Sequence, residues 1–215
     1  SWMFKRATGF FDVVAYTGNG TTPRNITHNL GAVPEFIVTK RRDVGGSWAV
    51  YNPDLGITSS SGIRLNTDDG WGYSQLTRYP STPTSTVYTV GNDSDVNSSG
   101  NTFISYLWTT LAGVSKVGSY TGTGSNVDVD CGFAAGARLV IIKRYGTSTT
   151  GDWYIWDSAR GIVAGNDPYL LLNSSAAEVT STDYIDPLSS GFTVTSSAPA
   201  ALNASGGTYI FLAIA

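Results

Sequence analysis

The chain has 215 residues, a formal net charge of -3 and only 13% charged residues, so there is no basic surplus to displace counterions from a phosphate backbone, and nucleic acid is not an expected partner. A single cysteine, Cys131, excludes an intrachain disulfide framework, and a single histidine, His28, leaves too few nitrogen and sulfur ligands for a zinc site within one chain. No apolar run approaches the roughly 18 residues that cross a bilayer, so membrane insertion is not expected either.

Aromatic residues at 12% and 25 glycines suit pleated strands joined by turns, and the length favours two domains over one. In chain order, strands are predicted over 36–40, 48–51, 86–90 and 102–108, then over 139–143, 153–156, 192–195 and 208–214. Turns are predicted at Gly18-Asn19-Gly20, Gly45-Gly46, Ser98-Ser99-Gly100 and Ser205-Gly206-Gly207. No stretch holds a helical period, although 175–179 has room for one turn.

The two sets of strands repeat. Tyr16-Thr17-Gly18-Asn19-Gly20 returns as Tyr120-Thr121-Gly122-Thr123-Gly124, and Phe36-Ile37-Val38-Thr39-Lys40-Arg41 returns as Leu139-Val140-Ile141-Ile142-Lys143-Arg144. Leu65-Asn66 returns as Leu172-Asn173, and Val96-Asn97-Ser98-Ser99-Gly100 as Leu202-Asn203-Ala204-Ser205-Gly206. The order never changes, so the predicted fold is all-β, with two tandem antiparallel β-sandwich domains related by an internal repeat of about 104 residues. A small barrel is the alternative. The domains run over 12–112 and 113–215. Trp2-Met3-Phe4 falls in the register of Tyr106-Leu107-Trp108, so 1–11 is predicted to be the closing strand of an upstream unit plus a linker, and the chain the C-terminal part of a longer polypeptide.

Trp48 and Trp153 occupy one repeat position and are the predicted structural core anchors. Lys40-Arg41-Arg42 and Lys143-Arg144 end the preceding strand, where charge discourages edge pairing or meets a ligand or subunit. His28 and Cys131 fall at equivalent places in successive repeats, a domain's length apart, so they are not a catalytic pair. Asp93-Ser94-Asp95-Val96-Asn97 begins like a calcium loop, but Ser98 replaces the required glycine and Ile104 the bidentate glutamate; no metal site is predicted.

Asp68, Asp69, Trp71, Tyr73, Arg78 and Tyr79 form the largest feature without a close copy in the other repeat. They are the candidate ligand-binding residues, because a ring face packs on the apolar face of a sugar while carboxylates accept from its hydroxyls. The alternative is a loop that covers its own sheet or the neighbouring unit. Asp167-Pro168-Tyr169, Glu178 and Asp183-Tyr184 make a fainter version in the second repeat. No nucleophile elbow, metalloprotease helix or phosphate loop is present, so neither catalytic residues nor cofactors are assigned.

Gly9-Phe10-Phe11-Asp12-Val13-Val14-Ala15-Tyr16-Thr17-Gly18-Asn19-Gly20, with His28-Asn29-Leu30-Gly31, Val33-Pro34-Glu35 and the closing Asn203-Ala204-Ser205-Gly206-Gly207-Thr208-Tyr209-Ile210, resembles a repeat domain of tail-fibre and tail-associated structural proteins of tailed bacteriophages. The resemblance spans essentially the whole chain and departs at Cys131-Gly132-Phe133-Ala134. It implies a non-catalytic virion or extracellular component that extends or tips a fibre. Such a component assembles as a symmetric homo-oligomer, a trimer first of all, and meets a host-surface glycan or envelope protein. The alternative is a carbohydrate-binding, lectin-like module attached to an upstream glycan-degrading enzyme; a third possibility is that the chain itself hydrolyses glycans.

Overall fold

The computed structural model describes residues 3–146 and 149–215. They form two compact units: Ser1–Asn66 with Trp71–Thr110, and Thr67–Gly70 with Leu111–Ala215. The short excursion Thr67–Gly70 thus belongs with the second unit, where the repeat alone placed it in the first. Ser1 and Trp2 of the proposed upstream strand lie outside the described residues, and Met3 and Phe4 have no regular secondary structure.

In the first unit, strands β1 (Phe11–Thr17), β2 (Arg24–Thr27), β3 (Phe36–Arg41), β4 (Trp48–Tyr51), β5 (Ile63–Arg64), β6 (Val87–Val90) and β7 (Thr102–Trp108) are joined by turns and by two one-turn helices, α1 (Gln75–Arg78) and α2 (Ser94–Asn97). The strands form a sheet in the order β1-β7-β3-β4-β5 and a pair β2-β6, and every strand pairing is antiparallel. Alternation along each strand sends one set of side chains inward. Ile26, Tyr88 and Val90 from the pair meet Ile37, Tyr51 and Leu107 from the larger sheet in one apolar cluster, which makes the unit a sandwich.

Four buried hydroxyls run through this core. Tyr79 Oη donates to Thr39 Oγ1 at 2.8 Å, Thr39 and Ser105 share a bond of 2.7 Å, and Tyr88 Oη donates to Ser105 Oγ at 2.8 Å. Each hydroxyl has a partner, so none carries the penalty of a stranded buried dipole.

The second unit has β8 (Ser115–Thr121), β9 (Val127–Asp130), β10 (Leu139–Tyr145), β11 (Trp153–Asp157), β12 (Leu170–Leu171), β13 (Ile185–Leu188), β14 (Gly191–Val194), β15 (Thr208–Ile214) and the helical turn α3 (Ala200–Asn203). Its larger sheet runs β8-β15-β10-β11-β12, the same succession of first, last, third, fourth and fifth strands as in the first unit, and its smaller sheet is β13-β14-β9. The core is apolar where the first unit has hydroxyls: Ile142, Phe192 and Phe211 stand at the places of Thr39, Tyr88 and Ser105. Residues 175–179 contain no helical turn.

One joint is built identically in both units. Tyr16 stacks on Phe103 and donates to Val96 O at 2.6 Å; Tyr120 stacks on Tyr209 and donates to Leu202 O at 2.7 Å. The turn after the first strand then passes so close to α2 or α3 that a Cβ at Gly18 would strike Ser98 O, and one at Gly122 would strike Ala204 O. Only glycine leaves room for that approach.

The tryptophans correct one expectation. Ala49 and Tyr51, and likewise Tyr154 and Trp156, point into the inter-sheet cores, so alternation turns Trp48 and Trp153 to the outer faces of the larger sheets. Trp153 is 1% exposed and Trp48 only half-buried; Tyr51 and Trp156 take the central role.

Candidate functional site

The residues gathered by sequence as a ligand-binding set divide between the two units. Asp68 and Asp69 act in the second unit through their main chain. Lys143 Nζ donates to Asp68 O at 2.7 Å, Gly151 N donates to the same oxygen at 2.9 Å, and Asp69 bridges to Thr150. Lys143 donates to Gly151 O as well, and its side chain is wholly buried. Burial pushes the ammonium down to about 8, against the pull of Asp68, Asp152 and Asp69.

Arg78 and Tyr79 turn inward rather than toward a ligand, at 0% and 1% exposure. The cause is local: Ser74 Oγ accepts from Thr77 N and caps α1, and the one-turn helix brings Gln75 and Arg78 onto a single buried face. Arg78 Nη2 lies 2.6 Å from Asp95 Oδ2 and its Nε 3.5 Å from Asp93 Oδ2, while Arg64 Nη2 reaches the same Asp95 oxygen at 2.9 Å. Tyr73 lies against this cluster, with the Arg64 and Arg78 guanidinium carbons 3.6 and 4.8 Å from its ring centroid. Burial holds the Tyr79 phenol well above its ordinary range, while Thr39 opposes the shift. Asp68 is exposed, Asp69, Trp71 and Tyr73 keep partial exposure, and Trp71 Nε1 is already bonded to Ser60 Oγ at 2.9 Å.

The calcium-like string is likewise consumed. Asp93 caps α2 by accepting from Asp95 N at 2.8 Å, and Asp95 holds the two arginines. Among the described residues, no group of three or more His, Cys, Asp or Glu is arranged to hold an ion. His28 is buried, with Nε2 3.1 Å from Thr84 O and Nδ1 accepting from Leu30 N at 3.3 Å, and burial lowers its proton affinity. Burial pushes the Cys131 thiol up to about 12, which removes the thiolate a nucleophile requires.

Sequence reasoning missed an open groove on the outer face of the first unit's larger sheet. Its volume is about 490 Å³, and Phe11, Val38, Trp48, Tyr106 and Trp108 line it, with Phe4 laid across one end. The signal was available in the alternation of β7, where Tyr106 and Trp108 share the face opposite Phe103, Ser105 and Leu107. In the second unit the corresponding Trp153 and Leu212 are buried, at 1% each.

Asp167 is the most perturbed carboxyl. Its Oδ1 accepts from Val163 N at 2.8 Å, the side chain is fully buried, and Oδ2 has no partner. Burial first, then the nearby Asp186 and Asp183, push it up to about 7. The folded unit therefore holds this proton more tightly than the unfolded chain, and stability falls as pH rises from the ordinary 3.8 to about 7. Asp167→Asn keeps an acceptor for Val163 N and cannot ionise. In scanning calorimetry its stability relative to the parent is expected to improve by on the order of 2 kcal/mol between pH 4 and pH 8. An offset that does not change with pH would contradict this account.

A family described as Domain of unknown function (DUF7483) matches residues 4–215. No curated protein and no solved structure matches the chain.

Proposed function

Starting from a chain that belongs to the DUF7483 family over nearly its full length, we propose that it is a non-catalytic structural and host-attachment module of a virion or other surface fibre. The observation that carries this reading is where the reactive side chains are spent. Arg78, Arg64, Asp93 and Asp95 neutralise one another, and His28 and Cys131 are buried. What remains outward is an aromatic groove and turn-rich loops, surfaces suited to contact rather than bond cleavage. The resemblance to tailed-phage fibre repeats and the low charge support the same reading.

Fluorescently labelled chain is expected to adsorb saturably to bacterial envelopes while leaving purified polysaccharides at their original length. Release of shorter oligosaccharides would overturn the non-catalytic part. The partial exposure of Trp71 and Tyr73 favours a second reading, a carbohydrate-binding module. A glycan array decides between them: binding abolished by Trp71→Ala or Tyr73→Ala would replace the attachment scaffold with a lectin.

A further inference from the structure

Both units place a lysine over a tryptophan at the same point of the larger sheet. Lys143 pairs with Trp153 across β10 and β11, its Nζ 5.8 Å from the ring centroid and bonded to Gly151 O, two residues before the tryptophan. Lys40 pairs with Trp48 across β3 and β4, its Nζ 5.9 Å from the ring and 3.1 Å from Gly46 O, again two residues before. The sockets differ in what fills them. Thr67–Gly70 lies in the second unit's socket, where Asp68 O takes a further bond from Lys143, Asp69 faces Thr150 in an antiparallel bridge, and Gly70 N donates to Thr149 O at 3.0 Å. In the first unit, among the described residues, Gly46 O alone accepts from Lys40 Nζ, and the hairpin is exposed, Val44 at 51%.

The segment that fills the socket also recurs. Asn66 Oδ1 accepts from Trp48 N at 2.9 Å and Leu65 N donates to Trp48 O at 2.9 Å; Asn173 and Leu172 do the same for Trp153, at 2.8 and 2.9 Å. Residues 174–177 therefore stand where 67–70 stand, and all four are exposed.

We propose that residues 174–177 of one copy of this chain dock along the 44–46 hairpin of a second copy, the carbonyl of Ser175 accepting from Lys40 Nζ as that of Asp68 does from Lys143. The inference deepens the fibre-module reading, on which it rests, by naming a partner: another copy of the chain. On the side of the docking segment the bonds are main-chain, so Ser174-Ser175-Ala176-Ala177 can replace Thr67-Asp68-Asp69-Gly70. One position depends on sequence. A Cβ at Gly70 would strike Thr149, and the docking segment has Ala177 there. In the first unit's hairpin, two residues shorter since seven residues separate Lys40 from Trp48 where nine separate Lys143 from Trp153, the residue at the place of Thr149 is Val44, 51% exposed, so docking requires that exposed side chain to give way to Ala177. Because donor and acceptor surfaces differ, the contact is head-to-tail and builds a closed ring or an open fibre.

Gly45 and Ala176 correspond to Thr150 and Asp69, which face each other across the filled socket. The full chain carrying Gly45→Cys and Ala176→Cys is expected to give, on mild oxidation at tens of micromolar, disulfide-linked species of two, three and more chains. Adding Lys40→Met is expected to cut their yield severalfold. Cys131, buried and with its thiol raised, stays in place. Asp69→Cys with Thr150→Cys, closing within one chain, shows that the geometry is productive. A ladder that ends at three chains supports the contact as a ring, and a longer one supports it as a fibre. Only monomers, or only the dimers that single-cysteine variants give, would overturn the proposal if the control closes. A chain that forms no ladder yet binds envelopes sinks the docking alone; one that ladders but binds no envelope sinks the attachment reading alone.

Discussion

Replacing Asn97 with leucine is expected to cost the first unit on the order of 3–5 kcal/mol, and Asn203→Leu a similar amount in the second, out of the roughly 5–15 kcal/mol that holds a domain folded. Asn97 is wholly buried and uses both ends of its amide. Nδ2 donates to Gly91 O at 2.9 Å, Thr21 O at 2.8 Å and Asn19 Oδ1 at 3.2 Å, while Oδ1 accepts from Asn19 N and from Arg24 Nη1, each at 3.0 Å. Asn203 repeats the arrangement, donating to Ser125 O and Thr195 O at 2.8 and 2.9 Å and accepting from Thr123 N at 3.0 Å. Leucine fills a similar volume but strands the inner carbonyls and amides, and stranding is the expensive outcome. Asn97→Asp is expected to be no milder, since a carboxylate would face two carbonyl oxygens. Denaturant titration measures the loss, and hydrogen exchange at the amides of Asn19 and Thr123 locates it. A change below about 1 kcal/mol would show that these amides do not hold the joint together.

Arg78→Met is the second large effect, expected at about 3–5 kcal/mol in the first unit, because it leaves the buried carboxylate of Asp95 and the partly exposed one of Asp93 without their inner cation. Arg78 is 0% exposed and joins Asp95, Asp93 and the carbonyl of Ile63, the last at 3.4 Å. Arg64 reaches Asp95 but is itself a quarter exposed, so water weakens what it can replace. Arg78→Lys is expected to recover little, since one ammonium cannot serve three partners spread around a planar fork. Adding Asp95→Asn to Arg78→Met removes the orphaned charge and is expected to restore part of the loss. Thermal unfolding of the four variants in a double-mutant cycle checks this, and additive effects would refute the coupling.

The strands were legible because period-2 patterning is a local property. β4, β7 and β15 match the predicted spans, and β3 and β10 run on by a residue or two. The repeated Asn97 and Asn203 blocks were legible as a pattern, and the structure supplies their reason: each ties down the other repeated block, the turn after the first strand. Alternation could not tell which face of β4 is interior when one carries Trp48 and the other Tyr51, so the anchor was placed on the wrong face. Arg78 and Tyr79 stood among the candidate ligand-binding residues because a single helical turn is too short to show a period, and only the Ser74 cap hints that they turn inward. The placement of Thr67–Gly70 with the second unit depends on pairing across some eighty residues, which no local signal records.

The contrast between the two interiors bears on how tandem units avoid trading strands while they fold. Neighbours with one strand order are at risk of exchanging elements and misassembling. Moving β7 into the second interior would set the Ser105 hydroxyl among Ile142 and Phe192, where no oxygen answers it; moving β15 the other way would press the Phe211 ring against Thr39 and Tyr88. Chemical mismatch between otherwise interchangeable scaffolds thus penalises the hybrid and steers each sequence to its own partner strands.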